Sequence, residues 1–105
     1  MKNKFGNDLD RNGYAESIIG EQDRCYLCGR RNGKLDRHEV FNASNRDKSK
    51  NLGLWVLLCS ECHDRLHHRD AEVAWKLKQD MQLKAMEYYN WDIKDFRKEI
   101  GKSYI

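Results

Sequence analysis

The stretch C-S-E-C-H-D-R-L-H at residues 59–67 says most about how this chain folds. Its cysteines, Cys59 and Cys62, are spaced C-x2-C, and an equally spaced pair, Cys25 and Cys28, lies upstream in C-Y-L-C. Two such pairs can direct four thiolates at one point, which is the closed tetrahedral set of a structural zinc. Two disulfides or four free thiols are the alternatives, and a reducing cytosol disfavours disulfides. The cysteines therefore predict a structural Zn2+ site.

The length of the chain explains why a metal would be useful. Its 105 residues fit a single domain, 1–105, with a small core, and domains of this size usually need extra stabilisation. Hydrophobic residues make up 39% and charged residues 35%, which argues against a disordered chain and against a membrane protein. No apolar run approaches the roughly 20 residues of a membrane span, and residues 1–10 lack the apolar stretch of a signal peptide. We therefore expect a cytoplasmic protein with no membrane contact.

The spacing of apolar residues predicts an α+β fold around the cysteines. An irregular arm over residues 1–20 precedes the first cysteine pair, and a short strand is expected over 34–41. A polar loop over 42–53 should lead to a buried strand over 54–58, and the two strands would pair as a hairpin. A helix that begins at Ser60, with this serine as its cap, is expected next.

The C-terminal region, residues 70–105, has helical spacing throughout. A first helix should pack on the hairpin and the cysteine site through one apolar stripe, Ala74, Leu77, Met81, Ala85 and Tyr88. A short helix over 91–100 should follow and end at Gly101. The residues expected to face inward from that helix are Ile93, Phe96 and Ile100.

Basic residues are concentrated between the two cysteine pairs. The net charge is +3, but residues 30–50 contain seven basic and three acidic groups, so this segment alone carries +4. Such a segment could hold a polyanion beside the metal site, and a merely solvated loop is the alternative. The candidates for contact with a phosphate backbone are Arg37, Arg46, Lys48 and Lys50.

The four histidines lie close to the same cysteines. His38 ends the first predicted strand, and His63 and His67 are four residues apart on one face of the predicted helix. Together they could bind one divalent cation, separate from the zinc. Neighbouring residues project about 100° apart around a helix, so Cys62 and His63 can serve different sites. A lone histidine would be an ordinary surface or core residue, whereas this set indicates a metal-dependent site.

The run at 35–67, L-D-R-H-E-V-F-N-A-S-N-R-D-K-S-K-N-L-G-L-W-V-L-L-C-S-E-C-H-D-R-L-H, resembles the HNH endonucleases, in particular their small zinc-stabilised type encoded by phages and prophages. The upstream C-x2-C pair, the N-R at 45–46 with the following Ser49, and the ending I-G-K-S-Y-I share in the resemblance. It implies a treble-clef-like ββα-metal core over 25–68, with a structural zinc held by the four cysteines, followed by C-terminal helices. It also implies metal-dependent hydrolysis of DNA in the cytoplasm of a bacterial host, by nicking or double-strand cleavage.

The resemblance implies roles for individual residues. His38 and His63 match the two histidines of the H-N-H pattern, which bind the catalytic cation. His67 matches a further ligand that some members, such as colicin-type nucleases, place one helical turn later. The catalytic cation expected here is Mg2+ or Mn2+.

Two positions depart from the family pattern. Glu39 stands where many members have a histidine as general base, and Leu54 stands where many have the middle asparagine. Either Glu39 acts as base while His38 binds the cation, or the two exchange roles. Asn45 is the candidate for the missing amide, with Asn51 as second choice, although loop asparagines commonly only form turns.

The sequence therefore predicts a metal-dependent DNA endonuclease that is a monomer or weak dimer. We expect little sequence preference, because the basic residues would contact phosphates and not bases. One alternative is a zinc-stabilised DNA-binding module without catalysis. Another is a protein-interaction module that docks phage packaging or recombination proteins through the aromatic residues at 88–104.

Overall fold

A two-stranded antiparallel sheet lies at the centre of the fold, formed by β1, Leu35–Glu39, and β2, Trp55–Cys59. The computed structural model describes residues 1–105, apart from the side chain of Ala43. Over the described residues, the two strands are accompanied by four α-helices, so the predicted α+β class is confirmed. His38 pairs with Val56, and Glu39 pairs with Trp55. Since side chains alternate along a strand, His38 and Glu39 project to opposite faces of the sheet.

The connection between the strands contains a helix where a loop was expected. Helix α1, Arg46–Asn51, follows a 3-10 turn at Ala43–Asn45. Its Ser49 is fully buried, donates a hydrogen bond to the Leu54 carbonyl at 2.6 Å and accepts one from the Phe41 amide at 3.2 Å. The loop prediction was wrong because these tertiary hydrogen bonds outweigh the polar composition of the segment.

Helix α2, Ser60–His68, follows β2 without a connecting loop. Its N-cap is Cys59, whose sulfur accepts a hydrogen bond from the Cys62 amide at 3.5 Å. The predicted capping role of Ser60 was therefore wrong by one residue. Cys62 and Leu66 form the buried side of the helix.

Helix α3, Ala71–Tyr89, buries Leu77, Met81 and Ala85, as the apolar stripe predicted. The prediction that Tyr88 belongs to the buried stripe was wrong, because Tyr88 is 57% exposed. Its neighbour Tyr89 packs inward instead, because the Tyr89 hydroxyl donates to the Leu52 carbonyl at 2.7 Å.

Helix α4, Ile93–Ile100, buries Phe96 and Ile100 and ends at Gly101, which has a φ of +101°. The expectation of an inward Ile93 was wrong. Ile93 is the first helical residue after the cap at Asp92, and its side chain lies on the exposed side of that first turn. None of the described helices is long and apolar enough to cross a membrane.

The N-terminal arm lies against the hairpin. The Trp55 indole donates a hydrogen bond to the Ala15 carbonyl at 2.8 Å, and the Ile18 amide donates to the Gly53 carbonyl at 3.0 Å. Gly53 has a φ of +74°, and a Cβ there would lie 2.2 Å from the Glu16 carbonyl oxygen. Only glycine therefore lets the arm approach the backbone this closely.

Candidate metal centres

The four cysteines form one cluster at the start of α2. Their sulfurs all lie within 4.8 Å of one another, and the sulfurs of Cys28 and Cys59 are 3.8 Å apart. Among the described residues the cysteines form no disulfide. A tetrahedral zinc with bonds of about 2.3 Å places neighbouring sulfurs about 3.8 Å apart. The cluster can therefore hold a structural metal such as zinc.

Each C-x2-C pair is shaped by its own backbone. In the first pair the Gly29 amide donates to the Cys25 carbonyl at 2.9 Å, and the Cys28 amide donates to the Cys25 sulfur at 3.5 Å. Gly29 adopts a φ of +78°, which closes this turn. In the second pair the first turn of α2 supplies the corresponding amide, from Cys62 to the sulfur of Cys59. Both turns thus direct a backbone N–H group at the first sulfur of their pair.

The pKa values of the thiols follow from this arrangement. Burial opposes ionisation of Cys25, but backbone N–H groups of Cys28, Cys59 and Leu27 lower its pKa to about 6. Burial and the neighbouring sulfurs raise the pKa of Cys62. One thiolate is thus favoured and further negative charge is opposed, so a cation is the natural partner of the full set.

The three histidines predicted to share a site lie together between the hairpin and α2. One ring nitrogen from each of His38, His63 and His67 lies within 4.8 Å of the others. The ring centres are 5.1 Å apart for His38 and His63, and 4.9 Å apart for His63 and His67. The donor set suits a divalent cation of the first transition series, which imidazole ligands favour.

This histidine cluster has a buried side and an open side. His38 is 6% exposed, His63 is partly exposed, and His67 is exposed. Burial lowers the pKa of His38 to about 4, and the adjacent His63 and His67 add to the effect. Burial and the neighbouring histidines also lower the pKa of His67. At neutral pH the His38 ring is therefore uncharged, and it has a lone pair available for a cation or a proton.

Asp36 is a residue of this region that was not predicted from the sequence. It lies two residues before His38 on the same face of β1, and its Oδ2 is 3.9 Å from Nδ1 of His63. At this distance the carboxylate makes no hydrogen bond to the ring, but its negative charge would attract a cation held by the histidines. The period-two spacing from His38 was the signal in the sequence that could have identified it.

Glu39 lies outside the histidine cluster. It is 7% exposed, and its Oε1 accepts hydrogen bonds from the Tyr14 hydroxyl at 2.7 Å and from Nε of Arg46 at 3.0 Å. Burial alone would raise the pKa of Glu39, but these two donors and the Arg46 charge bring it below its usual value. The carboxylate is thus engaged by two groups on the face of the sheet opposite His38.

The asparagines proposed for the middle position of the H-N-H pattern lie in and beside α1. Asn45 immediately precedes the helix and makes no capping hydrogen bond with its side chain, and Asn51 is its last residue. The described hydrogen bonds connect neither side chain to a histidine. Leu54 is fully buried in the core.

The basic candidates divide into two groups. Arg37 stacks on the Tyr14 ring at 4.4 Å, and Lys50 lies 4.9 Å from the centre of the same ring. Arg46 is connected to this group by its ion pair with Glu39, which also binds the Tyr14 hydroxyl. Lys48 lies elsewhere, in a groove that also includes Lys2, Lys4 and Lys98.

No protein-family model, curated protein or solved structure matches this chain. Its own residues and geometry therefore carry the functional inference.

Proposed function

We propose that this chain is a metal-dependent DNA endonuclease of the small zinc-stabilised HNH type, in which β1, β2 and α2 form the ββα-metal core. The observation that supports this best is the convergence of His38, His63 and His67 beside a separate set of four thiols. A closed thiol set leaves no position for a substrate, whereas three imidazoles leave coordination positions for water or phosphate. Two sites of these kinds on one helix fit a structural metal and a catalytic metal.

The histidine cluster is open to solvent at His67, so a cation bound there would be accessible to a substrate. A divalent cation bound there would supply positive charge to a scissile phosphate and to its leaving oxygen. His38 anchors the set from the strand, while His63 and His67 extend it towards solvent. Three nitrogen ligands favour Mn2+ over Mg2+, because Mg2+ prefers oxygen ligands.

Glu39 has a positioning role in this proposal. Its engagement with Tyr14 and Arg46 makes it a poor candidate for accepting a proton from water at the histidines. It holds Arg46 in place, and Arg46 is available to contact the phosphate backbone.

Cleavage of supercoiled plasmid tests the proposal. Purified wild type, His38→Ala and the control His68→Ala are incubated with EDTA, Mg2+ or Mn2+. His68 is the matched control because its described ion-pair partner is Asp64 and it lies outside the three-histidine set. We expect nicked or linear plasmid from wild type and His68→Ala with Mn2+, and none from His38→Ala. Equal cleavage by wild type and His38→Ala, or no cleavage by wild type with any metal, would contradict the proposal.

A DNA-binding module without catalysis is the second candidate. The engagement of Glu39 and the burial of Leu54 favour it, because both positions lack the side chain that the HNH pattern uses for catalysis. Retained DNA binding without metal-dependent cleavage would identify this candidate.

A further inference from the structure

We propose that Tyr14, in the N-terminal arm, organises a second phosphate-binding subsite on the face of the hairpin opposite the histidines. The subsite is formed by Arg37, Arg46 and Lys50, and its ligand is a phosphodiester group of the DNA backbone. This inference deepens the proposed function and rests on it. It assigns a DNA-contacting role to the arm, which lies outside the predicted ββα-metal core.

Tyr14 connects all three cations. Its ring packs against the Arg37 guanidinium at 4.4 Å and the Lys50 ammonium at 4.9 Å. Its hydroxyl donates to Glu39 at 2.7 Å, and Glu39 in turn holds Nε of Arg46 at 3.0 Å. Three cations gathered in this way repel one another, and the aromatic ring and the buried carboxylate offset part of that repulsion. An anion would offset the remainder.

Backbone hydrogen bonds and ring packing fix the position of Tyr14 in the subsite. The Tyr14 amide donates to the Asp10 carboxylate at 3.0 Å, and the Ala15 amide donates to the Lys50 carbonyl at 3.0 Å. The Tyr14 ring also meets the Trp55 ring edge-on, with centres 5.9 Å apart. A preorganised set of cations loses less entropy when it binds an anion than flexible surface lysines do.

The cations keep donors for a ligand. The Arg46 side chain is 67% exposed and uses Nε for Glu39, which leaves its terminal nitrogens on the solvent side. Lys50 has no carboxylate partner among the described ion pairs. One terminal nitrogen of Arg37 lies 3.2 Å from the Asp10 carboxylate. The cluster thus contains three cations and two carboxylates, Asp10 and Glu39, so its net charge is positive. Guanidinium groups bind phosphate oxygens well, and the backbone of DNA presents them repeatedly.

The subsite would give the protein a second contact with the same DNA molecule. Arg37 and Glu39 flank His38 in β1, so the subsite and the histidine cluster lie on opposite faces of one strand. DNA bound at the histidines would contact the subsite where the duplex extends past the strand, and this contact would orient the duplex without reading its bases.

Salt-dependent binding of a fluorescein-labelled 20-bp DNA duplex, measured in EDTA, tests the subsite. The variants are Tyr14→Phe, Tyr14→Ala and Lys50→Gln, and Tyr88→Ala is the control because Tyr88 is an exposed tyrosine on α3. Tyr14→Ala should weaken binding about tenfold and lower the slope of log K against log salt by about one to two. Tyr14→Phe keeps the ring and should lose about threefold, and Lys50→Gln should lower the slope by about one.

A purely structural role for Tyr14 would reduce the amount of folded protein without changing the slope, so the slope is the decisive readout. If Tyr14→Ala does not fold, Lys50→Gln decides the question, because Lys50 is only half-buried and has no carboxylate partner among the described ion pairs. Wild-type affinity and slope in the folded variants would overturn the subsite.

The outcomes also separate the subsite from the proposed function. Metal-dependent cleavage by wild type together with unchanged slopes in the variants would overturn the subsite alone. Duplex binding with the expected slope changes, but without cleavage in any metal, would overturn the nuclease alone. Absence of both duplex binding and metal-dependent cleavage by wild type would overturn both.

Discussion

The four-cysteine cluster and the three-histidine cluster share the hairpin and α2, yet they differ in access. Three of the four cysteines are buried, and their four sulfurs would fill all the positions of a tetrahedral metal. The histidine cluster buries only His38 and opens to solvent at His67. Cys62 and His63 are adjacent in sequence, so one turn of α2 supplies a residue to each cluster. A closed donor set is suited to a structural metal, whereas an open set would leave positions on the metal for a further ligand.

Removal of one thiol should have the largest effect. Cys59→Ser is expected to abolish cooperative folding, because the free energy of metal binding at the closed set is part of the folding free energy of a small domain. Circular dichroism melts and zinc content measure the loss. Ser60→Ala, an exposed change in the same helical turn, is the matched control and should melt like wild type. A cooperatively folded Cys59→Ser protein without zinc would show that metal binding by the thiols does not hold the fold together.

Removal of one imidazole should spare the fold and abolish activity. His63→Ala is expected to keep its zinc and its melting temperature while metal-dependent cleavage falls about 100-fold or more, since even residues behind metal ligands contribute about 10-fold to 100-fold. His68→Ala serves again as control. Cleavage by His63→Ala at the wild-type rate would exclude this residue from the site.

Replacement of Asp36 should have a smaller effect, on the metal affinity of the histidine cluster. Asp36→Asn should weaken Mn2+ binding about tenfold, because the carboxylate 3.9 Å from His63 would no longer place a negative charge beside the cation. Titration with Mn2+, followed by electron paramagnetic resonance, measures the affinity. Asp64→Asn is the control, since Asp64 contacts His68 and Arg69. Equal affinity in both variants would show that Asp36 has no influence on the site.

Glu39 should show the smallest effect on activity. Glu39→Gln is expected to lower the free energy of unfolding by about 2 kcal/mol, because the charged acceptor between Tyr14 and Arg46 is lost. The cleavage rate at saturating DNA should stay within about tenfold of wild type. Urea unfolding and plasmid assays measure the two quantities, with Glu61→Gln at the exposed start of α2 as control. A rate loss of about 100-fold or more at unchanged stability would assign Glu39 to proton transfer.

Local spacing predicted the parts of both clusters that lie close in sequence. The C-x2-C pairs and the four-residue separation of His63 and His67 depend only on turn and helix geometry, and the structure brings each set together. Helix α1 was missed because its stability depends on the buried hydroxyl of Ser49, and that contact cannot be seen in a polar stretch.

The contact of Tyr14 with Glu39 was equally inaccessible from the sequence. It joins an arm without periodicity to a strand 25 residues later. The predicted burial was wrong for Tyr88 and Ile93, which lie at the ends of their helices. At a helix end, a shift of one residue moves a side chain from the core to solvent.

The most direct test of the two-centre account is the stoichiometry and spectrum of bound Co2+ in wild type and in the double variant His38→Ala, His63→Ala. Wild type should bind two ions per chain, one with the intense charge-transfer absorption of thiolate ligands and one without it. The double variant should keep only the thiolate-bound ion. A single thiolate-bound ion in both proteins would contradict the account, because the three histidines would then hold no metal.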